Sequence, residues 1–187
     1  MERSFEAVLV EQCATTLAGV KPASLFRYQG ADKRQPREAA ARWAKELAPY
    51  GITIRVLKYC PQTGACLIYL YRAGWLRSIL SEPSTRAFLA GQGYGADQSC
   101  QELLRQLSRR LCLEREFPHE IGLFLSYPPE DVLGFICNRA CNHKCVGCWK
   151  VYGDEQAARS IFEKYEMCSK IYSRQWQQGK SIEQLTV

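Results

Sequence analysis

Two apolar stretches joined by a short turn constrain the fold of this chain more than any other feature. Residues 52–60 alternate apolar and polar side chains, and residues 66–72 are almost wholly apolar. The intervening Pro-Gln-Thr-Gly at 61–64 has the composition of a tight turn. This pattern predicts an antiparallel hairpin over Ile52–Cys60 and Cys66–Arg72. A sheet that contains this hairpin cannot be all parallel.

Helical periodicity dominates the rest of the chain. It predicts helices over 5–18 after Ser4, from Pro36 to Pro49, over 75–80, over 84–90, from an N-cap at Asp97 to Leu111, from Pro129 to Asn138, and from Asp154 to Gly179. Three further runs predict strands, at 24–28, 121–125 and 146–152. Together these elements predict an α/β fold of the mixed α+β kind, in which about five strands form a single mixed sheet covered by helices.

Size, hydropathy and charge narrow the class of protein. A chain of 187 residues is expected to form one domain over 1–187 that buries about 70% of its unfolded surface. No stretch approaches the ~18 apolar residues of a membrane-spanning helix, and Glu6 and Glu11 interrupt the first apolar run. We therefore expect no signal peptide, no membrane insertion and a cytoplasmic location. The net charge of +6 comes from scattered basic residues, which disfavours a nucleic-acid partner.

Four of the ten cysteines lie close together in the sequence. Cys137, Cys141, Cys145 and Cys148 follow the spacing C-x3-C-x3-C-x2-C. Thiolates at such spacing can converge on zinc or on an iron–sulfur cluster, so these four are the candidate metal ligands. The alternatives in a cytoplasmic chain are unlinked reduced thiols or one redox-active cysteine. A strand that began at Cys145 would point Cys145 and Cys148 to opposite faces, which argues against a shared metal.

His119 and Cys145 are the candidates for catalysis. A histidine followed by Glu120 could deprotonate the thiol of Cys145 in the manner of a Cys–His pair. The alternative is that His119 is a hydrogen-bonded structural residue before a strand. The sequence has no G-x-G-x-x-G, no P-loop and no G-x-S-x-G, so it does not indicate a nucleotide-binding enzyme or a serine hydrolase.

Four segments carry a resemblance to a known family: H-E-I-G-L-F-L-S-Y-P-P-E-D-V-L-G-F-I, C-V-G-C-W-K-V-Y-G-D, Y-E-M-C-S-K-I-Y and Q-G-K-S-I-E-Q-L. They resemble an uncharacterised bacterial family, domain of unknown function 3793, over most of the chain. The resemblance implies a small soluble protein without an established activity and a link to iron or redox physiology. His119, Cys145, Gly147, Trp149 and Cys168 look typical of the family, whereas Cys137, Cys141 and Cys148 look like departures from it. The resemblance therefore favours Cys145, with Cys168 and His119, over a four-cysteine metal site.

The sequence leaves three functional hypotheses open. The first is an accessory protein with a thiol-redox or metal-handling role through its cysteines, acting with a redox or iron-handling protein. The second is a non-catalytic adaptor that binds a protein partner. The third is an enzyme with Cys145 as nucleophile and His119 as base. Bound metal would support the first hypothesis and a rapidly alkylated thiol the third, whereas an adaptor requires neither.

Overall fold

A computed structural model describes residues 3–187 of the chain. The chain divides into two compact units. One unit comprises the described residues up to Trp75 together with Met167–Val187, and the other comprises Leu76–Glu166. The single domain over 1–187 stays a prediction. None of the described helices is both long and apolar enough to cross a lipid bilayer.

The first unit is built on a three-stranded sheet. Ser4 begins the first helix because its hydroxyl accepts the N–H of Ala7 at 3.1 Å, as predicted. The elements of this unit are α1 (Phe5–Leu17), β1 (Ala23–Tyr28), α2 (Gln35–Leu47), a 3-10 turn (Ala48–Tyr50), β2 (Ile52–Tyr59), β3 (Cys66–Arg72), the start of α3 (Ala73–Ser81), the end of α8 (Glu155–Gln177) and a 3-10 turn (Glu183–Leu185).

The predicted hairpin is confirmed. β2 and β3 pair antiparallel from Ile52 opposite Arg72 to Tyr59 opposite Cys66. β1 pairs antiparallel with the other edge of β3, so the strand order is β1-β3-β2. The central strand is buried without interruption from residue 68 to residue 71, which is why its sequence is apolar rather than alternating. One face of the sheet packs on α1 and α2 in a cluster that includes Phe5, Leu9, Leu47, Ile68 and Leu70.

The second unit is helical apart from a small hairpin. Its elements are the end of α3, then α4 (Pro83–Gly91), α5 (Cys100–Leu113), α6 (Ile121–Phe124), α7 (Pro129–Cys137), β4 (Cys145–Val146), β5 (Lys150–Val151) and the start of α8. Asp154 begins α8, as predicted, because its carboxylate accepts the N–H of Ala157 at 3.0 Å.

The prediction of a single five-stranded sheet is wrong. The described residues do form five strands, but three of them make the sheet of the first unit and two make the hairpin of the second. Every pairing is antiparallel, so neither sheet is mixed.

Two predicted strands account for the difference. Residues 121–125 form α6, closed by bonds such as Leu125 N–H to Ile121 O at 3.1 Å. A short apolar run suits a buried strand and a buried helical turn equally, so periodicity alone could not decide. Residues 146–152 reverse direction instead of continuing as one strand. Gly147 N–H bonds to Trp149 O at 3.0 Å, and β4 pairs with β5.

The N-cap of α5 is Ser99, and the predicted cap at Asp97 is wrong. Ser99 and Glu102 form a capping box, in which Glu102 N–H donates to the serine hydroxyl at 3.4 Å and Ser99 N–H donates to the glutamate carboxylate at 2.8 Å. The hydroxyl of Ser99 also donates to this carboxylate, at 2.7 Å, and this bond together with that from Ser99 N–H lowers the pKa of Glu102. Aspartate and serine are both good caps, but only Ser99 has a glutamate three residues later.

Ser99→Ala should therefore lower the free energy of unfolding by about 1 kcal/mol, because it removes the hydroxyl that accepts the N–H of Glu102 and donates to the Glu102 carboxylate. Asp97→Ala is the matched control and should change this free energy by less than about 0.5 kcal/mol. Urea denaturation followed by circular dichroism measures both. Equal effects, or a larger effect of Asp97→Ala, would show that the helix does not begin at Ser99.

Candidate functional site

The second unit contains a cavity of about 250 Å³ between α6, α7 and the β4–β5 hairpin, which we call the aromatic pocket. Three polar residues line it, namely His119, Asp131 and Lys150. The remaining lining residues are apolar or lack a side chain: Ile121, Gly122, Tyr127, Val132, Phe135, Val146, Gly147 and Trp149. An apolar cavity with a few polar groups is the usual form of a binding site.

Two stacked rings form one wall of the pocket. Tyr127 lies on Trp149 with ring centroids 4.9 Å apart, and Trp149 in turn packs edge-on against Phe162 of α8 at 4.5 Å. Gly147 permits this approach, since a Cβ atom there would collide with the ring of Phe162. Burial raises the pKa of Tyr127 to about 12, so its hydroxyl stays neutral and donates to Cys148 O at 3.3 Å.

Asp131 holds this wall in place. Its carboxylate is only 2% exposed, and it accepts Trp149 Nε1–H on one oxygen and the backbone N–H groups of Tyr152 and Gly153 on the other, each at 2.7 Å. The residue lies in the first turn of α7, where the helix dipole also favours negative charge. One carboxylate therefore joins α7 to the hairpin and to the chain that leads into α8.

A second buried carboxylate belongs to Glu120, which lies between two lining residues in the sequence. Glu120 is 2% exposed. Its carboxylate accepts a hydrogen bond from the Tyr94 hydroxyl at 2.9 Å and forms an ion pair with Arg110 at 2.8 Å. Desolvation, reinforced by the charge of Glu120, raises the pKa of Tyr94, so the phenol stays a donor. The two neighbours of Glu120 in sequence, His119 and Ile121, both line the pocket.

His119 lies at the margin of the pocket in an aromatic row. Its ring centroid is 4.8 Å from that of Phe135 and 5.8 Å from that of Phe117. The side chain of Phe117 is 48% exposed, so the apolar surface continues outward past the histidine. The role of His119 as a hydrogen-bonded structural residue stays a prediction.

Lys150 is the cation of the pocket. It is half-buried, its ammonium donates to Ala140 O at 2.8 Å, and Nζ lies 5.9 Å from the centroid of Phe135. Ala140 has a φ of 63° and Arg139 a φ of 48°, which non-glycine residues adopt at a cost. In the part of the chain that the structure describes, no carboxylate pairs with Lys150.

The predicted convergence of four cysteines is not found. Cys137, Cys141 and Cys148 are exposed, whereas Cys145 is buried. Across residues 3–187, no three histidine, cysteine, aspartate or glutamate side chains form a group that could hold a metal ion. Cys137 ends α7 and Cys141 lies in the following loop. Cys145 begins β4, and Cys148 lies in the turn between β4 and β5. A zinc or iron–sulfur site at these residues has no support from their positions.

The two candidate catalytic residues, Cys145 and His119, lie in different surroundings. Cys145 is 9% exposed and packs with Trp149, Val151 and Ala158, outside the lining of the pocket that includes His119. No hydrogen bond between the Cys145 thiol and the His119 ring is present in the described part of the chain, so a nucleophile–base pair at these residues stays a prediction. Cys168 lies in the first unit, and burial raises the pKa of its thiol.

A larger groove of about 770 Å³ follows α5, but it is a weaker candidate. Its lining is polar, and its carboxylates are already engaged within the unit. Glu102 belongs to the capping box, and Glu114 pairs with Arg110 at 2.9 Å. Water can form hydrogen bonds to the polar groups of such an open groove as well as a ligand can. Binding in the aromatic pocket is more favourable, because it removes apolar surface from water.

The residues that shape the pocket were not identified from the sequence alone. Both Asp131 and Glu130 are acidic residues of the kind favoured in the first turn of α7, and only the fold shows that Asp131 is buried. The spacing of Asp131, Val132 and Phe135 on one helical face was the signal that could have found this wall. Lys150 had no local signal, because its partner Ala140 lies in a loop.

The fold and the pocket define a small mixed α+β protein with an aromatic-walled cavity. The chain belongs to the family described as Protein of unknown function (DUF3793), which it matches over residues 9–186. The predicted family resemblance is thus confirmed. Neither the curated proteins nor the solved structures with which the chain was compared include a match.

Asp131→Asn should lower the free energy of unfolding by about 1–3 kcal/mol, because an amide has a single acceptor oxygen and leaves at least one of three buried N–H groups unpaired. Glu163→Gln on the exposed side of α8 is the control, with an expected change below about 0.5 kcal/mol. Trp149→Phe should also lower the free energy of unfolding. This loss should be at least about 0.5 kcal/mol smaller in the Asp131→Asn variant than in the wild type, because the bond between the two side chains is already disrupted there. Additive effects in urea denaturation would show that the indole bond does not contribute.

Alkylation should distinguish the cysteines of the hairpin region. With iodoacetamide under native conditions, Cys148 should be modified at least roughly tenfold faster than Cys145, because a buried thiol reacts only when the structure opens locally. Peptide mapping by mass spectrometry measures both rates in one sample, and unfolding in urea should equalise them. Rapid native modification of Cys145 would contradict its buried position and favour the nucleophile hypothesis.

Proposed function

We propose that this protein is a binding module whose aromatic pocket receives an apolar side chain of a protein partner. The observation that carries the proposal is the pocket itself, which has a volume of about 250 Å³ and a stacked Tyr127–Trp149 wall. Sites for small molecules are commonly larger, about 300–1,000 Å³. Protein interfaces often bury one aromatic or aliphatic anchor in a pocket of side-chain size.

Apolar surface next to the pocket supports a macromolecular partner. Val146 lines the pocket and is nevertheless 59% exposed, and Phe117 extends the aromatic row of His119 outward. An apolar margin around a small pocket allows a partner to exclude water around its anchor, as interfaces do.

The internal bonding of the pocket supports binding without large rearrangement. Asp131, which lines the pocket, and Glu120, between two lining residues in the sequence, accept hydrogen bonds and an ion pair from residues of the same unit, without a partner protein. A site that is already ordered loses less conformational entropy on binding, which favours affinity.

This proposal adopts the adaptor hypothesis rather than thiol-redox or metal handling. A redox or iron-handling protein as partner, and zinc or iron–sulfur as cofactor, are not needed for it and stay predictions. The proposal places the protein in the cytoplasm, where its ten unlinked cysteines would stay reduced.

Val146→Asp should abolish binding through the pocket, because it places a carboxylate on the apolar margin. A displayed library of random linear peptides, selected on the wild-type chain, should yield sequences that share one large apolar residue. We expect Val146→Asp to weaken these peptides at least about tenfold, since an apolar anchor would have to desolvate a charge. Met167→Asp, at an equally exposed apolar residue of the first unit, should change affinity less than about twofold.

Two outcomes would overturn the proposal. The first is a selection without any enriched apolar position. The second is a set of enriched peptides that bind Val146→Asp as tightly as the wild type. Circular dichroism and tryptophan emission of the variant must match the wild type, so that lost binding is not lost folding.

A further inference from the structure

We infer that the aromatic pocket selects an apolar side chain with an aspartate or glutamate within two positions of it, recognised by Lys150. This inference rests on the proposed function, and it specifies the chemistry of the partner segment. It starts from an ammonium group that is half-buried beside an apolar cavity and has no carboxylate partner in residues 3–187.

The bonding of Lys150 leaves room for an anion. An ammonium group has three N–H donors, and one of them is used by Ala140 O at 2.8 Å. The face of Phe135, 5.9 Å from Nζ, supplies a further weak attraction but no hydrogen-bond acceptor. A partly desolvated cation in these surroundings is stabilised when a ligand brings a carboxylate to it, since a charged hydrogen bond is stronger outside bulk water.

The carboxylates of the pocket do not supply this charge. Asp131 lines the same cavity, but its two oxygens accept three N–H donors from Trp149, Tyr152 and Gly153. Glu120 is adjacent in sequence to lining residues, and its carboxylate is bound by Tyr94 and Arg110. His119, the other polar lining residue, adds no negative charge. The acceptor oxygens of these two carboxylates are thus occupied by other donors, and a carboxylate of an acidic segment could bind the remaining N–H groups of Lys150.

The hairpin sets the spacing between the apolar and cationic positions. Val146 and Lys150 are directly opposite each other in the β4–β5 pair, so their side chains project from the same face. Cβ atoms of such pairs are about 4.5–5.5 Å apart. Next-but-one side chains of an extended peptide lie on the same face, roughly 7 Å apart along the chain, a distance that the long side chain of Lys150 can span. One segment can therefore place an apolar anchor in the pocket and an acidic residue at Lys150.

The test uses the full chain and three acetylated, amidated peptides. The first is Gly-Ser-Phe-Glu-Glu-Ser-Gly, the second has Gln-Gln in place of Glu-Glu, and the third has Ala in place of Phe. Binding is followed by NMR through the indole N–H signal of Trp149, which Trp149→Phe identifies. We expect the glutamate peptide to bind about three- to tenfold tighter than the glutamine peptide at low salt, with the difference reduced by added salt. The alanine peptide should not bind.

Two matched variants each replace one lysine of the same region, Lys150 or Lys144, by glutamine. Lys150→Gln should reduce the preference for glutamate to less than about twofold without abolishing binding of the glutamine peptide. Lys144→Gln should keep the preference, because Lys144 is exposed and does not line the pocket. The comparison of the two peptides on each variant separates recognition of charge from a structural effect, which would weaken both peptides equally.

Each outcome has one meaning. If the indole signal responds to neither the glutamate nor the glutamine peptide, the pocket does not take an apolar side chain and the proposed function fails. If both peptides bind equally, the proposed function stands and the acidic preference is overturned. If Lys150→Gln keeps the preference, the assignment to Lys150 is wrong. If 3-phenylpropionate binds more tightly than the glutamate peptide, the site takes a small carboxylate, and the protein-partner inference is overturned.

Discussion

The hydrogen bonds of Asp131 decide the shape of the second unit around the pocket. A buried carboxylate is costly without donors, and those of Asp131 come from an indole and from two consecutive backbone N–H groups beyond the hairpin. α7, the β4–β5 hairpin and the start of α8 must come together to supply them. The same bonds hold the Trp149 ring between Tyr127 and Phe162. The hydrogen bonds that the buried carboxylate of Asp131 requires thus also position the pocket wall.

Satisfaction of the two buried acids also determines the electrostatic character of the pocket. Asp131 and Glu120 are both directed to internal donors, and neither is available to Lys150. The cavity that remains is mostly apolar, with Lys150 in its lining and the exposed side chains of Val146 and Phe117 beside it. The proposed recognition of an acidic, apolar segment would therefore depend on the same carboxylate bonding that stabilises the unit. No cysteine lines the pocket, but Cys145 packs with Trp149 and the carbonyl of Cys148 accepts a hydrogen bond from Tyr127.

The fold could be predicted where the governing interactions are local. Ser4 and Asp154 begin helices through bonds to residues three positions later, and the turn at 61–64 joins strands that are close in sequence. Prediction failed where a distant partner decided between two local possibilities. The apolar run at 121–125 had no neighbouring strand to pair with and closed on itself as α6. The hairpin at 145–151 depends on contacts of Trp149 that no local pattern contains.

The sequence by itself determined the family, the antiparallel hairpin and most helices. It also singled out His119 and Trp149, which line the pocket. Only the tertiary structure decided that Asp131 rather than Glu130 is buried, that Lys150 is without a carboxylate among the described residues, and that four neighbouring cysteines do not converge. The physical reason is that caps and turns are set by bonds over three or four residues, whereas burial and charge pairing depend on which distant side chains the packed chain brings together.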